Sequence, residues 1–233
     1  METVIFEDLG RMDYQSAWDY QESLLKENVR LKVEARAAEG VAPTEHRLLF
    51  VEHPPVFTLG KSGHMENILL DDAAMEQKGA QFFRTNRGGD ITFHGPGQLV
   101  GYPILDLEKF RTDLGWYLRS LEEVGIRVLA DYGLVGDRSP GETGIWLEPG
   151  IKGRERKICA MGVRCSRWIT MHGFALNVNT DLSWFGNIVP CGIADKRVGS
   201  LHEELGRAVE MEEVKTRWKQ RFEEVFGARI LSE

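Results

Sequence analysis

Apolar and polar positions in this chain fall into short blocks whose period switches between two and about 3.6 residues, with no internal repeat. Residues 4–6 (Val-Ile-Phe) read as a short strand. Asp13 then predicts the N-cap of a helix running toward residue 38, with Trp18, Leu24, Leu25, Leu31 and Ala35 near helical spacing, and Gly40 and Pro43 ending it. The continuous apolar run inside residues 46–52 predicts a buried strand that Pro54-Pro55 stops. Residues 57–59 and 81–85 predict further strands, with a short helix near 71–78 between them. Residues 91–106 predict two strands around His94-Gly95-Pro96-Gly97, and the plain reading of that run is a hairpin with glycine turns. A second amphipathic helix is expected over 112–124, with Leu114, Leu118 and Leu121 on one side. Strand-like runs follow at 145–147, 157–164 and 169–178. Pro149, Gly150 and Gly153 join the first two as a hairpin, and a helix closes the pattern at 209–226. Consecutive strands without intervening helices favour an α+β fold with a mostly antiparallel sheet.

Composition narrows the class. At 233 residues and 26.4 kDa the chain suits one domain, 1–233, with a sizeable core. No apolar run approaches the roughly 20 residues of a membrane span, and the acidic start Met1-Glu2-Thr3-Val4-Ile5-Phe6-Glu7-Asp8 has no secretory pattern. Three cysteines without disulfide-like spacing point to a reducing compartment, hence a cytoplasmic protein. A net charge of −7 argues against nucleic acid as the main partner. One local exception is the run Lys152, Arg154, Arg156, Lys157, which is either a solvated turn or a docking patch for an acidic partner.

Candidate chemistry centres on Pro190-Cys191-Gly192. Proline restricts the backbone on one side of the thiol and glycine removes bulk on the other, as on an accessible bend. Lys157 opens the strand-like run Lys157-Ile158-Cys159-Ala160-Met161-Gly162. An ammonium beside a thiol favours the thiolate, and that pairing points to acyl transfer through a thioester. The glycine clusters around residues 87–98 match neither a dinucleotide fingerprint nor a phosphate-cradling loop. Cys159, Cys165, Cys191 and His172 contain no paired-cysteine spacing, so no metal site is expected.

Taken together, residues 87–98, 157–163, 172–177 and 190–192 resemble the lipoyl(octanoyl) transferases over nearly the whole chain. The resemblance implies the fold of lipoate and biotin protein ligase catalytic domains, a largely antiparallel mixed sheet with packed helices. It implies transfer of an octanoyl group from acyl carrier protein to a lysine of a lipoyl domain, in 2-oxoacid dehydrogenase E2 or glycine-cleavage H protein. No cofactor, no membrane and no nucleic acid enter that reaction, and a monomer suffices. Cys191 is then the acyl-thioester nucleophile and Lys157 the group that lowers its pKa. The acyl group is held by Arg87, Gly88, Gly89, Asp90, Ile91, Thr92, Phe93 and His94, by Ala160, Met161 and Gly162, and by Gly173, Phe174 and Ala175. Gly192, with the backbone of Gly88-Gly89 or of residues 160–162, is the expected source of oxyanion donors. Cys159 stands where a small non-thiol residue is usual, so two thiols compete for Lys157. The alternatives on the same residues are an ATP-dependent ligase, a thioesterase and a non-catalytic binding protein.

Overall fold

Runs rich in branched and aromatic side chains form the strands, and capped amphipathic runs form the helices. The protein, a computed structural model, is described over residues 1–189 and 197–232. In chain order the strands are β1 (Thr3–Arg11), β2 (His46–Glu52), β3 (Val56–Leu59), β4 (Gln81–Arg84), β5 (Ile91–His94), β6 (Gln98–Ile104), β7 (Gly136–Asp137), β8 (Ile145–Leu147), β9 (Arg156–Ser166), β10 (Ile169–Asn177), β11 (Arg197–Val198) and β12 (Arg229–Ser232). The helices are α1 (Tyr14–Ala37), α2 (Asp72–Gln77), α3 (Leu114–Asp131), α4 (Leu201–Leu205) and α5 (Met211–Phe226).

The main sheet has the order β12-β1-β2-β6-β10-β9-β8-β7, with β11 beside β9. From β2 to β7 every neighbouring pair is antiparallel. β1 and β2 are parallel because α1 carries the chain back between them, and β12 adds to β1 in parallel. The expected α+β architecture with a largely antiparallel mixed sheet is therefore present. The residue 209–226 reading stopped one element short, since β12 is four residues long and carries too little pattern to register.

Two expectations are corrected. His94-Gly95-Pro96-Gly97 does not close a hairpin: β5 pairs with β3 in a small sheet of order β4-β3-β5, whereas β6 pairs with β2 and β10. The turn instead hands the chain from one sheet to the other. Its polar groups are spent on outside partners: the Gly97 N–H donates to Glu52 Oε2 at 2.7 Å, and the Gly97 carbonyl accepts from the N–H of Asn179 at 2.8 Å.

The buried stripe of α1 is Tyr14, Ala17, Gln21, Leu25, Asn28 and Lys32, so of the predicted apolar positions only Leu25 is fully buried. Polar side chains replace them because each finds partners. Asn28 exchanges two hydrogen bonds with the backbone of Glu45. The Lys32 ammonium donates to Asp106 Oδ1 at 2.7 Å and to the Arg167 carbonyl at 2.9 Å, and Thr44 completes Asp106 at 2.9 Å. The Gln21 side-chain Oε1 accepts the backbone N–H of His172 at 2.8 Å.

α3 and α5 cover one face of the main sheet around Trp218, Phe222, Leu121 and Val128. α1 covers part of the other face, over Leu49, Tyr102, Ile169 and Met171. The small sheet has its own core, in which Phe93 stacks on Trp184 with ring centres 5.1 Å apart. No helix among the described residues is long and apolar enough to cross a membrane.

Candidate active site

The registers of β6, β10 and β9 place Val100, Ala175 and Ala160 side by side, with Gly173 beside Gly162 in the next row. Adjacent small side chains leave a trough in the sheet surface. Tyr14 at the start of α1 and the loop from β4 into β5 stand over it, enclosing a cavity of about 190 Å³. The loop is seated on β9: the Gly88 N–H donates to the Val163 carbonyl at 2.9 Å. A Cβ at Gly162 would meet the Gly88 carbonyl oxygen at 2.8 Å, so only glycine lets the loop lie this low. Arg87 is buried in the loop, its guanidinium donating to the Thr58 carbonyl at 2.6 Å and hydroxyl at 2.9 Å.

A β-bulge decides which side chains of β9 enter the trough. Trp146 pairs with Lys157 but Ile145 pairs with Cys159, so Ile158 is an extra residue in the ladder. Strict alternation would put Lys157 and Cys159 on one face. The bulge instead turns Ile158 and Cys159 into the core and leaves Lys157 on the cavity side with Ala160 and Gly162. The Lys157 ammonium lies 4.7 Å from the centre of the Trp146 ring and 3.8 Å from Glu142 Oε2. Glu142 arrives on a loop anchored by the Gly144 N–H, which donates at 3.0 Å to Glu122 Oε1, a carboxylate fully buried in α3. A Cβ at Gly144, whose φ is +118°, would lie 2.5 Å from the Cys159 carbonyl oxygen, so this loop too is laid flat on β9 by a glycine.

The two described cysteines are poor nucleophiles. Burial pushes the Cys159 thiol well above the ordinary range, against the lesser pull of Lys157. Burial also raises Cys165, which sits at the end of β9 far from Lys157. Cys159 points into the core while His172 lines the cavity, so these two do not converge on an ion.

The cavity wall also carries buried polar side chains, among them His94 and His172, with the ring of His53 edge-on to that of His94. His94 Nδ1–H donates to Gln98 Oε1 at 2.8 Å, whose amide nitrogen donates onward to Asn177. His53 Nδ1–H donates to the Met12 carbonyl, and its Nε2 accepts from the Tyr102 hydroxyl at 2.7 Å. His172 Nε2–H donates to Asn86 Oδ1 at 2.8 Å, from a residue with φ of +57° in the middle of β10. Burial lowers these imidazoles, His94 and His172 to about 3 and His53 to about 4; the Arg87 guanidinium adds to the shift at His172. Burial likewise pushes the Tyr14 hydroxyl up to about 12.

The sign of the resulting pH dependence is fixed. Unfolding frees histidines with an ordinary value of 6.5, whereas the folded forms stay neutral until about 4 or below. The unfolded chain thus binds more protons below pH 6.5, and stability must fall as pH drops from there. Each histidine contributes a slope of about 1.4 kcal/mol per pH unit once titrated in the unfolded state, about 4 for the three. Urea melts at pH 7.5, 6.5 and 5.5 should show a small fall in the midpoint over the first step and one about three times larger over the second. A midpoint unchanged down to pH 5 contradicts the burial of these rings.

Of the residues expected to hold the acyl group, Arg87, Gly89, Asp90, Ile91, Thr92, His94, Ala160, Met161, Gly162, Gly173, Phe174 and Ala175 line the cavity, and so does Lys157. Two do not. Phe93 alternates onto the opposite face of β5 and packs against Trp184, and Gly88 supplies only backbone under the loop. Because the Gly88 N–H is committed to Val163, it is also removed from the expected oxyanion donors. Cys191 and Gly192 lie outside the described residues. Of the basic run, Lys152 and Arg154 are exposed, the latter paired with Glu148, whereas Arg156 pairs with Glu204 and Glu148 and Lys157 faces the cavity.

Sequence reasoning missed Tyr14, Tyr102, Gln98 and Glu142, which also line the cavity. Gln98 ended a run that was singled out. Tyr14 and Glu142 come from distant elements and carry no local signal.

The model of the lipoyl protein ligase A/B catalytic domain matches residues 13–223. The chain belongs to this family. It is 58% identical over 226 residues to the octanoyltransferase of Flavobacterium johnsoniae, covering 97% of each chain. It is 56% identical over 224 residues to that of Christiangramia forsetii, covering 96% of this chain and 95% of the relative. In fold it is similar to the bipartite lipoate protein ligase of Thermoplasma acidophilum, with a TM-score of 0.70 at 18% identity over 100% of this chain and 86% of that one.

Proposed function

We propose that this acyltransferase, an octanoyltransferase of protein lipoylation, works through an octanoyl thioester on Cys191, with Lys157 as its charge partner and proton carrier. The observation that supports this reading best is the bulge in β9. It delivers one ammonium to the end of a trough floored by Ala160, Gly162, Gly173 and Ala175, and it withdraws Cys159 from that trough. Of three cysteines, Cys159 is shut in the core and Cys165 is half-buried at the opposite end of β9, which leaves Cys191. Val198, seven positions after Cys191, pairs with Lys157, so the chain following the thiol is anchored beside that lysine.

The donor in this reading is octanoyl-acyl carrier protein. The Cys191 thiolate attacks the thioester carbonyl, the carrier sulfur leaves and takes a proton from the Lys157 ammonium, which is left neutral, and octanoyl-Cys191 remains. The acceptor is a lysine of a lipoyl domain, from a 2-oxoacid dehydrogenase E2 or a glycine-cleavage H protein. Its neutral amine attacks the second thioester, an amide forms, and the Cys191 thiolate is regenerated. The proton lost by the amine passes to Lys157 in its neutral form. The trough contributes about 0.8 kcal/mol per buried methylene, enough to hold a chain of six methylenes while discriminating its neighbours only several-fold. The whole chain, 1–233, acts in this reading as one catalytic domain.

The test is direct. Incubation with octanoyl-acyl carrier protein in the absence of acceptor should add the mass of one octanoyl group, sensitive to hydroxylamine, on the peptide containing Cys191. Label on Cys159 or Cys165, or none without ATP, rejects the reading.

A further inference from the structure

Asp90 is a carboxylate on the rim of a cavity read as an acyl trough, where a charge has nothing to offer a hydrocarbon. Both of its oxygens are already engaged by the protein. Oδ1 accepts the N–H of Ile91 at 2.7 Å, and Oδ2 accepts the Asn67 side-chain amide at 2.7 Å. A carboxylate only accepts, so the amide nitrogen of Asn67 must be the atom that faces it. Asn67 is buried, and it ends the short turn Met65–Asn67.

The backbone beside Asn67 does something different. Its carbonyl accepts the Val189 N–H at 2.8 Å, Ile68 bridges Ile188 in antiparallel fashion, and the Leu69 N–H donates to the Asn187 carbonyl at 2.9 Å. Residues 67–69 therefore hold residues 187–189 as a short added strand, and Val189 stands two positions before Cys191. One residue ties the loop over the trough, through its side chain, to the chain that leads to the thiol, through its main chain.

We propose that Asn67 is a positioning residue and that Asn67 and Asp90 form a latch aligning the chain before the nucleophile with the acyl trough. Asp90 is then a structural partner of Asn67 and not a ligand of the acyl group. The inference rests on the reading that Cys191 is the nucleophile.

The test uses single-turnover acylation by octanoyl-acyl carrier protein, which separates the maximal rate from the half-saturating donor concentration. Asn67→Ala removes the donor. Asn67→Asp sets two carboxylates face to face. The double variant N67D/D90N restores one donor and one acceptor in reversed order, and the amide oxygen it introduces at position 90 can still accept the Ile91 N–H. Misplacement of a reacting group by about an ångström costs up to about a hundredfold in rate. Acylation should accordingly slow about tenfold in Asn67→Ala and further in Asn67→Asp, with half-saturation unchanged within threefold. The reversed pair should recover to within threefold of the parent. A parental acylation rate in Asn67→Ala, or a reversed pair as slow as Asn67→Asp, overturns the latch. Failure of the parent protein to label at Cys191 would instead overturn the nucleophile assignment, whatever the Asn67 variants do.

Discussion

Cys191→Ser is expected to abolish octanoyl transfer, lowering kcat by about three orders of magnitude or more, as loss of a covalent nucleophile does. A serine hydroxyl hardly ionises near neutral pH, and an ammonium that favours a thiolate cannot make good that difference. The informative comparison is Cys159→Ser. Cys159 precedes Ala160 of the trough floor in sequence, yet its side chain is fully buried and its thiol is pushed far from ionisation by that burial. Its sulfur sits 3.7 Å from the Ala160 carbonyl, too far for a hydroxyl to bond, so the exchange should cost about 1–3 kcal/mol of stability. Transfer activity should stay within a few-fold of the parent. Assaying octanoylated acceptor for both variants, beside a thermal melt, separates the outcomes. An inactive Cys159→Ser that melts normally, with an active Cys191→Ser, would exchange the roles of the two thiols.

Lys157→Arg should prove much more damaging than a charge-preserving change suggests. The guanidinium keeps the positive charge near Glu142 and can still stack on Trp146, so part of the thiolate stabilisation survives. It does not give up a proton, and so cannot receive one from the acceptor amine. Acylation from the carrier should persist in part, within about tenfold of the parent. Transfer from preformed octanoyl-enzyme to the lipoyl domain should fall by about a hundredfold or more, the range of a lost general base. Lys157→Met, lacking both charge and base, should impair both halves. Single-turnover measurement of each half-reaction distinguishes the roles. Near-parental transfer by Lys157→Arg would reduce Lys157 to an electrostatic neighbour of the thiol.

The elements with strong local signals were legible in the sequence. Asp13 caps its helix through a hydrogen bond from the Ser16 N–H, and β2 has the bounds its apolar run predicts. What sequence could not supply was partnership between distant segments. The turn at His94-Gly95-Pro96-Gly97 was visible, but whether its flanking strands pair with each other depends on Glu52 and Asn179, which bind it from elsewhere. Cavity-lining residues were legible where they cluster in sequence, within 87–94 apart from Gly88 and Phe93, and at 160–162 and 173–175. Their facing was not: a single bulged residue, Ile158, reverses the alternation that would place Cys159 beside Lys157. Tyr14 and Glu142 reach the cavity only through tertiary packing.

The polar stripe of α1 gives that helix only one seat on the sheet. An apolar stripe could slide by a turn and find equivalent grease, but Gln21, Asn28 and Lys32 each match a fixed counterpart at His172, Glu45 and Asp106. A slip would strand three buried polar groups at about 1–3 kcal/mol each. The helix is thereby keyed like a toothed rack, and Tyr14 on its first turn is indexed against the trough by residues up to about five turns away. The dimensions of the trough are thus set in part by side chains that never touch its contents.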